Sequence, residues 1–140
     1  MNRIKIIRVA LGLSIVLFLA SLTQKCYCTT LSCADSTMVL ISGTVGFLFG
    51  GAALTWLANP LLVASWFSTK KPLLSLLFSS GALILSISFL FFNNIIVDEA
   101  GNYGQIISYR LGYWLWLSSN LVMFIGNVFG YFRYRNIEMV

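Results

Sequence analysis

Residues 38–67 contain no charged side chain, and that stretch limits what the whole chain can be. A helix rises about 1.5 Å per residue, so a hydrocarbon core of about 30 Å takes about 20 residues. The stretch is longer than one crossing needs, so it must tilt, kink, or cross and then lie along the surface. Pro60 suggests where. It lacks an N–H, its ring crowds the preceding turn, and it disfavours an α conformation at Asn59. The pattern predicts a crossing over 38–58 and a kinked continuation over 59–68 in the membrane interface. Lys70 and Lys71 then hold the chain to one side.

Composition agrees. The chain has 140 residues, 59% hydrophobic and 9% charged. An average soluble domain carries about 25% charged residues, enough polar surface to cover its core. This chain cannot supply that surface, and its length suits one domain. The net charge of +5 does not point to nucleic acid, because the basic residues sit beside the ends of apolar runs rather than in a stripe. The chain has no histidine, which removes the commonest general base and the commonest metal ligand.

Arg3, Lys5 and Arg8 precede an apolar run over 9–22. A signal peptide has the same layout, but Ala20, Ser21, Leu22 and Thr23 do not place small residues at both key positions of a cleavage site. Lys25 also stands where a lipoprotein signal needs a small residue. The expectation is a retained first helix over 6–22.

The polar connection that follows carries Cys26, Cys28 and Cys33. With the N-terminus inside, this loop faces an oxidising compartment. Cys26 and Cys28 are too close to pair comfortably, while Cys28–Cys33 and Cys26–Cys33 are both feasible. The remaining thiol is either free or joins two copies of the chain. A soft-metal site is a third reading, weakened by the lack of histidine and of a fourth cysteine.

Gly43, Gly46, Gly50 and Ala53 recur at spacings of three and four, which on a continuous helix puts them on one face. Gly46 to Gly50 is a GxxxG motif, as is Gly126 to Gly130. In lipid such faces let backbones approach closely, within the chain or between copies. Pro72 suits the first turn of a third helix over 73–92, which is serine-rich and uncharged.

Positions 93–110 read as two β-prone runs around a turn containing Asp98, Glu99 and Gly101. A small hairpin is expected there, its isoleucines, Ile106 and Ile107 among them, buried on the bundle or on a partner. Asp98 and Glu99 are read as turn residues of a partner-binding loop, not as catalytic carboxylates. A fourth crossing over 111–132 opens with interfacial aromatics. In it Tyr113, Asn120 and Asn127 share a face, and with Asn59 the two asparagines are expected to form a polar seam.

Of the Lys and Arg residues, only Lys25 and Arg110 fall on the outer side when both termini are cytoplasmic, as the positive-inside rule asks. The predicted fold class is an all-α integral membrane protein, a four-transmembrane-helix antiparallel bundle with a small extracytoplasmic hairpin between helices 3 and 4. At Trp56–Leu57–Ala58–Asn59–Pro60, Asp98–Glu99–Ala100–Gly101 and Gly112–Tyr113–Trp114–Leu115–Trp116 the chain resembles uncharacterised small bacterial inner-membrane proteins. The resemblance covers the second to fourth helices. It implies a four-helix inner-membrane protein and brings no activity, cofactor or binding residue with it.

Three function classes follow. The first is a non-enzymatic subunit, anchor or sensor that binds a protein partner, as in envelope assembly, toxin immunity or phage defence. The second is a homo-oligomeric pore or membrane-disrupting effector. The third, an enzyme, is disfavoured because no ionisable residue falls at the centre of a crossing. No cofactor, metal or small-molecule substrate is expected. The lipid bilayer is, together with a protein partner or a second copy.

Overall fold

The structure, a computed structural model, describes residues 3–98 and 100–138, with side chains for 4–98 and 100–136. Helix α1 (Arg3–Leu22) leads into strands β1 (Lys25–Thr29) and β2 (Cys33–Asp35). Helix α2 (Ser36–Gly46) is followed by two 3-10 segments, Phe47–Phe49 and Gly51–Leu57, and by α3 (Ala58–Phe67). Helix α4 (Pro72–Ser88), strands β3 (Asn94–Ile96) and β4 (Tyr103–Tyr109), and α5 (Leu111–Glu138) complete the chain.

Among the described residues, three helical stretches are long and apolar enough to cross a membrane: Ile4–Leu22, Pro72–Phe91 and Leu111–Asn136. The charge-free stretch is not a fourth of the same kind. It divides into two shorter apolar pieces, Ser36–Phe49 and Gly51–Phe67. The expected single crossing over 38–58 is therefore corrected. The break lies at Gly50 and Gly51, whose φ values of 75° and 59° belong to the left-handed region that glycine enters freely. Pro60 does not end a helix. It occupies the first turn of α3, where proline is tolerated. The α-helical partner of its missing N–H would be the Trp56 carbonyl, and the Asn59 side-chain amide donates to that carbonyl instead (3.0 Å). The continuation predicted over 59–68 corresponds to α3, which packs against α4.

The break turns the chain back on itself. The Trp56 indole lies against Gly43, donates to the Leu40 carbonyl (2.8 Å) and stacks on Phe47. Gly43, Gly46, Gly50 and Ala53 thus share no common face: Gly43 receives Trp56, and Gly50 makes the turn.

Helices α1 and α5 run antiparallel. Gly126 receives Ala10 and Gly130 receives Ile7, so the second GxxxG motif is used within the chain. A serine clasp joins the same pair: Ser14 Oγ donates to the Ser119 carbonyl (3.0 Å) and Ser119 Oγ to the Ser14 carbonyl (2.7 Å). Trp66 Nε1 adds a bond from α3 to Ser14 Oγ (3.0 Å). Asn127 ties three helices, with Ser65 Oγ, Ser79 Oγ and the Ser75 carbonyl within 3.1 Å of its amide nitrogen. Its Oδ1 accepts from Ser75 Oγ (3.0 Å). In an apolar surrounding such bonds add about 1 kcal/mol each to helix association.

The largest departure from the all-α expectation is a sheet. All four strands join in the order β2-β1-β4-β3, antiparallel throughout. The hairpin expected between helices 3 and 4 is present as β3–β4, pairing Asn94 with Gln105 and Ile96 with Tyr103. The cysteine loop is its missing half: β1 pairs with β4 through Tyr27–Tyr109 and Cys28–Ser108. The sheet caps the end of the bundle where α1 finishes and α5 starts. Lys70, Lys71, Tyr131 and Arg135 gather at the opposite end.

Candidate functional site

The sheet and the space beneath it bring together most of the polar chemistry outside the helix contacts. Cys28 and Cys33 are opposite each other in the β1–β2 register and form a disulfide. Lys25 and Asp35 close the same hairpin with an ion pair of 2.7 Å between exposed side chains. That bond occupies the Asp35 carboxylate, and α2 begins without a side-chain cap from it. Arg110 holds β1 from the other side, its backbone N–H on the Cys26 carbonyl (2.9 Å) and its Nε on Cys28 Sγ (3.1 Å).

Cys26 is the remaining thiol, and it is buried. Burial pushes its pKa up to about 12, with the nearby Ser36 hydroxyl opposing slightly. Such a thiol is protonated and a poor nucleophile or metal ligand. Its position under the sheet also keeps it from reaching a second chain. With Cys28 and Cys33 joined, the soft-metal reading loses two of its three ligands.

Asp98 builds the β3–β4 turn. Its carboxylate accepts from the Asn102 backbone N–H (3.0 Å) and side-chain amide (2.7 Å), and these bonds hold its pKa below the usual carboxylate value. Gly101, at φ 82°, completes the turn. Glu99 lies outside the described residues. Strand β4 alternates in the way a half-covered sheet requires. Gly104 and Ile106 face the bundle, where Ile106 packs with buried Ile95 on Phe89 and Tyr113. Tyr103 and Ile107 face away and are 68% and 62% exposed. Ile107 is therefore not buried within the chain. Leu31, at the β1–β2 turn, is 72% exposed.

Beneath the sheet lies a cavity of about 710 Å³ between α2, the 3-10 segment Gly51–Leu57 and the start of α5. Cys26, Tyr27 and Ile95 form its roof, and Val39, Gly46, Trp56 and Trp116 its walls. Ser36 reaches it from the first turn of α2. Gly112 makes that possible, since a side chain there would collide with Ser36 Oγ and the Lys25 carbonyl. The Ser36 hydroxyl is buried and has no partner at hydrogen-bond geometry among the described residues.

The expected asparagine seam is not continuous. Asn127 belongs to the α3–α4–α5 junction. Asn59 Oδ1 accepts from Trp116 Nε1 (2.8 Å). Asn120 donates only to the Trp116 carbonyl of its own helix, and its Oδ1 is buried without a partner among the described residues. Sequence reasoning missed Ser36, Arg110 and Trp116 as structural polar groups. Tyr113, read both as an interfacial aromatic and as sharing a face with Asn120 and Asn127, is buried as they are and donates to the Ser86 carbonyl (2.8 Å). Among the interfacial aromatics, Trp114 remains exposed.

Fold and site define a helical bundle with apolar helices of membrane-crossing length, capped at one end by a disulfide-stapled four-stranded sheet. No family model, curated protein or solved structure matches the chain.

Proposed function

We propose that the chain is a non-enzymatic subunit, anchor or sensor of a bacterial inner membrane that binds a protein partner on the outward face of its sheet. The carrying observation is the exposure of Tyr103 and Ile107 on that face, with Leu31 exposed at the β1–β2 turn. A soluble surface seldom gathers large apolar side chains without use. The strands beneath them are held by the Cys28–Cys33 disulfide and the β1–β4 pairing, so little order is lost on binding.

The proposed topology has four crossings and both termini in the cytoplasm. The second crossing is Gly51–Phe67. Seven 3-10 residues at about 2.0 Å and ten α residues at about 1.5 Å give about 29 Å, close to one hydrocarbon thickness. Helix α2 then lies at the outer boundary, its exposed Met38, Ile41 and Val45 and the Leu48 that follows it turned toward the lipid. Lys70, Lys71 and Arg135 sit at the end away from the sheet, in keeping with the positive-inside rule.

The pore reading drew on Asn120, Asn127 and the small-residue faces. Asn120 and Asn127 are buried, and Gly126 and Gly130 are packed on α1, which favours the binding reading.

A photo-crosslinking residue at Ile107, compared with one at the exposed α4 position Ile84, tests this in the native membrane. One discrete protein product from position 107, absent from 84, is expected. Products with lipid alone at both positions would refute it. A product containing only a second copy of the chain would return attention to the pore, with ion flux in liposomes as the next measurement.

A further inference from the structure

We propose that the cavity beneath the sheet binds one neutral acyl lipid, with its carbonyl accepting a hydrogen bond from Ser36. The volume of about 710 Å³ lies within the range of about 300–1,000 Å³ typical of small-molecule sites. Such sites are mostly apolar with a few placed polar groups, and this one has the same make-up. Ser36 is 7% exposed, and its hydroxyl has no partner at hydrogen-bond geometry among the described residues beyond the neighbouring Cys26 thiol, a weak acceptor. A buried hydroxyl facing only a thiol is under-satisfied, and a carbonyl oxygen arriving in the cavity would give it a stronger acceptor.

Charge selects the head group. No lysine or arginine lines the cavity among the described residues, so nothing there would neutralise an anionic head. Asp98 is the one charged residue on its rim among the described residues, and its carboxylate already accepts two bonds from Asn102. Cys26, in the roof, is protonated and adds no charge. The entry is on the lipid side: Ile41 and Val45 of α2 and Phe49 of the following 3-10 segment line the cavity and are themselves exposed. The site is independent of the partner-binding face, which lies on the other side of the sheet.

Gly46 gives a clean way to close it. It lines the cavity, it is helical, and a Cβ built there meets nothing within 4 Å among the described residues. Gly46→Phe therefore adds bulk at the cavity wall without displacing the backbone.

The test is titration of the delipidated full chain in mild detergent with monoolein and, separately, with oleate, read by native mass spectrometry. Trp56 and Trp116 line the cavity, so tryptophan fluorescence provides a second readout. One retained monoolein per chain is expected, with weaker retention of oleate. Gly46→Phe should lose monoolein by at least about tenfold, and Ser36→Ala should bind it about fivefold more weakly, the factor one neutral hydrogen bond supplies. Circular dichroism checks that Gly46→Phe is folded, and Ser36→Ala carries the test if it is not. Equal retention of monoolein by wild type and both variants, oleate held as tightly as monoolein, or no retained lipid would each overturn the proposal.

Discussion

The indole of Trp56 occupies the space that a side chain at Gly43 would take. The two residues belong to arms of one apolar stretch that double back around Gly50 and Gly51, and the Trp56–Leu40 hydrogen bond fixes the angle between them. Gly43→Ala must push the indole away and break that bond. The expected loss is about 1–3 kcal/mol, the usual range for overpacking. It should appear as a lower thermal midpoint and a shifted tryptophan emission. An unchanged midpoint would mean that the doubled-back arms do not contribute to stability.

Asn120 and Asn127 are both buried in α5, yet they should respond differently to leucine. Asn127→Leu strips a donor from Ser65, Ser79 and the Ser75 carbonyl together. It also removes the acceptor of Ser75 Oγ, and although the three serines keep other bonds, losing the four-bond junction at once should cost about 1–3 kcal/mol. Asn120→Leu loses one bond within its own helix and removes an acceptor that is already unpaired, so its cost should stay below about 1 kcal/mol. Chemical denaturation of both variants in the same detergent checks the order, and a reversed order would refute it.

The Ser14–Ser119 clasp calls for a double-mutant cycle with alanine at each position. Interhelical bonds of this kind average about 0.6 kcal/mol, with a maximum near 1.7. Two reciprocal bonds across α1 and α5 place the expected coupling in the upper part of that range. Additive single variants would show that the clasp contributes nothing beyond packing.

Cys26 links stability to alkaline pH. Its folded pKa is raised to about 12 by burial, above its value in an unfolded chain. The folded state therefore holds the proton more tightly, and the associated stability is complete at neutral pH. It falls as pH rises from about 9 to about 12. Tyr27, also pushed up to about 12 by burial, acts in the same direction. Thermal midpoints measured across that window should decline in the wild type and less steeply in Cys26→Ala. At pH 8 a maleimide should label Cys26 only after denaturation, and rapid labelling of the folded chain would contradict its burial.

The Cys28–Cys33 staple closes a short loop, for which removal of a disulfide costs about 2 kcal/mol. Cys28→Ser with Cys33→Ser should lower the midpoint accordingly and weaken any crosslink formed from position 107. A crosslink of unchanged yield would separate the staple from partner binding.

Apolar length and charge placement made the long helices legible, and the β-prone runs around Asp98 and Gly101 made the second hairpin so. Its partner hairpin was hidden. β1 and β2 are short, contain three cysteines, and are held in the sheet by the pairing of β1 with β4, far along the chain. Local pattern does not carry such pairings. The break was misplaced because proline is a stronger local signal than two glycines. Pro60 fell where a first turn tolerates it, and Gly50 and Gly51 fell where their positive φ was needed. Whether Tyr113 and Trp116 face lipid or the interior depends on the rotation of α5 against α1 and α4, which tertiary packing sets.

The strand order has a consequence for biogenesis. β1 leaves the translation machinery long before β4, and its place in the sheet is beside β4. The β1–β2 hairpin and its disulfide can form at once, but one edge of β1 stays open until the stretch just before α5 has been delivered. An open edge invites pairing with foreign strands. Closure of the sheet therefore waits until most of the chain has been made, and a chain stalled before β4 would expose that unpaired edge to quality-control proteases.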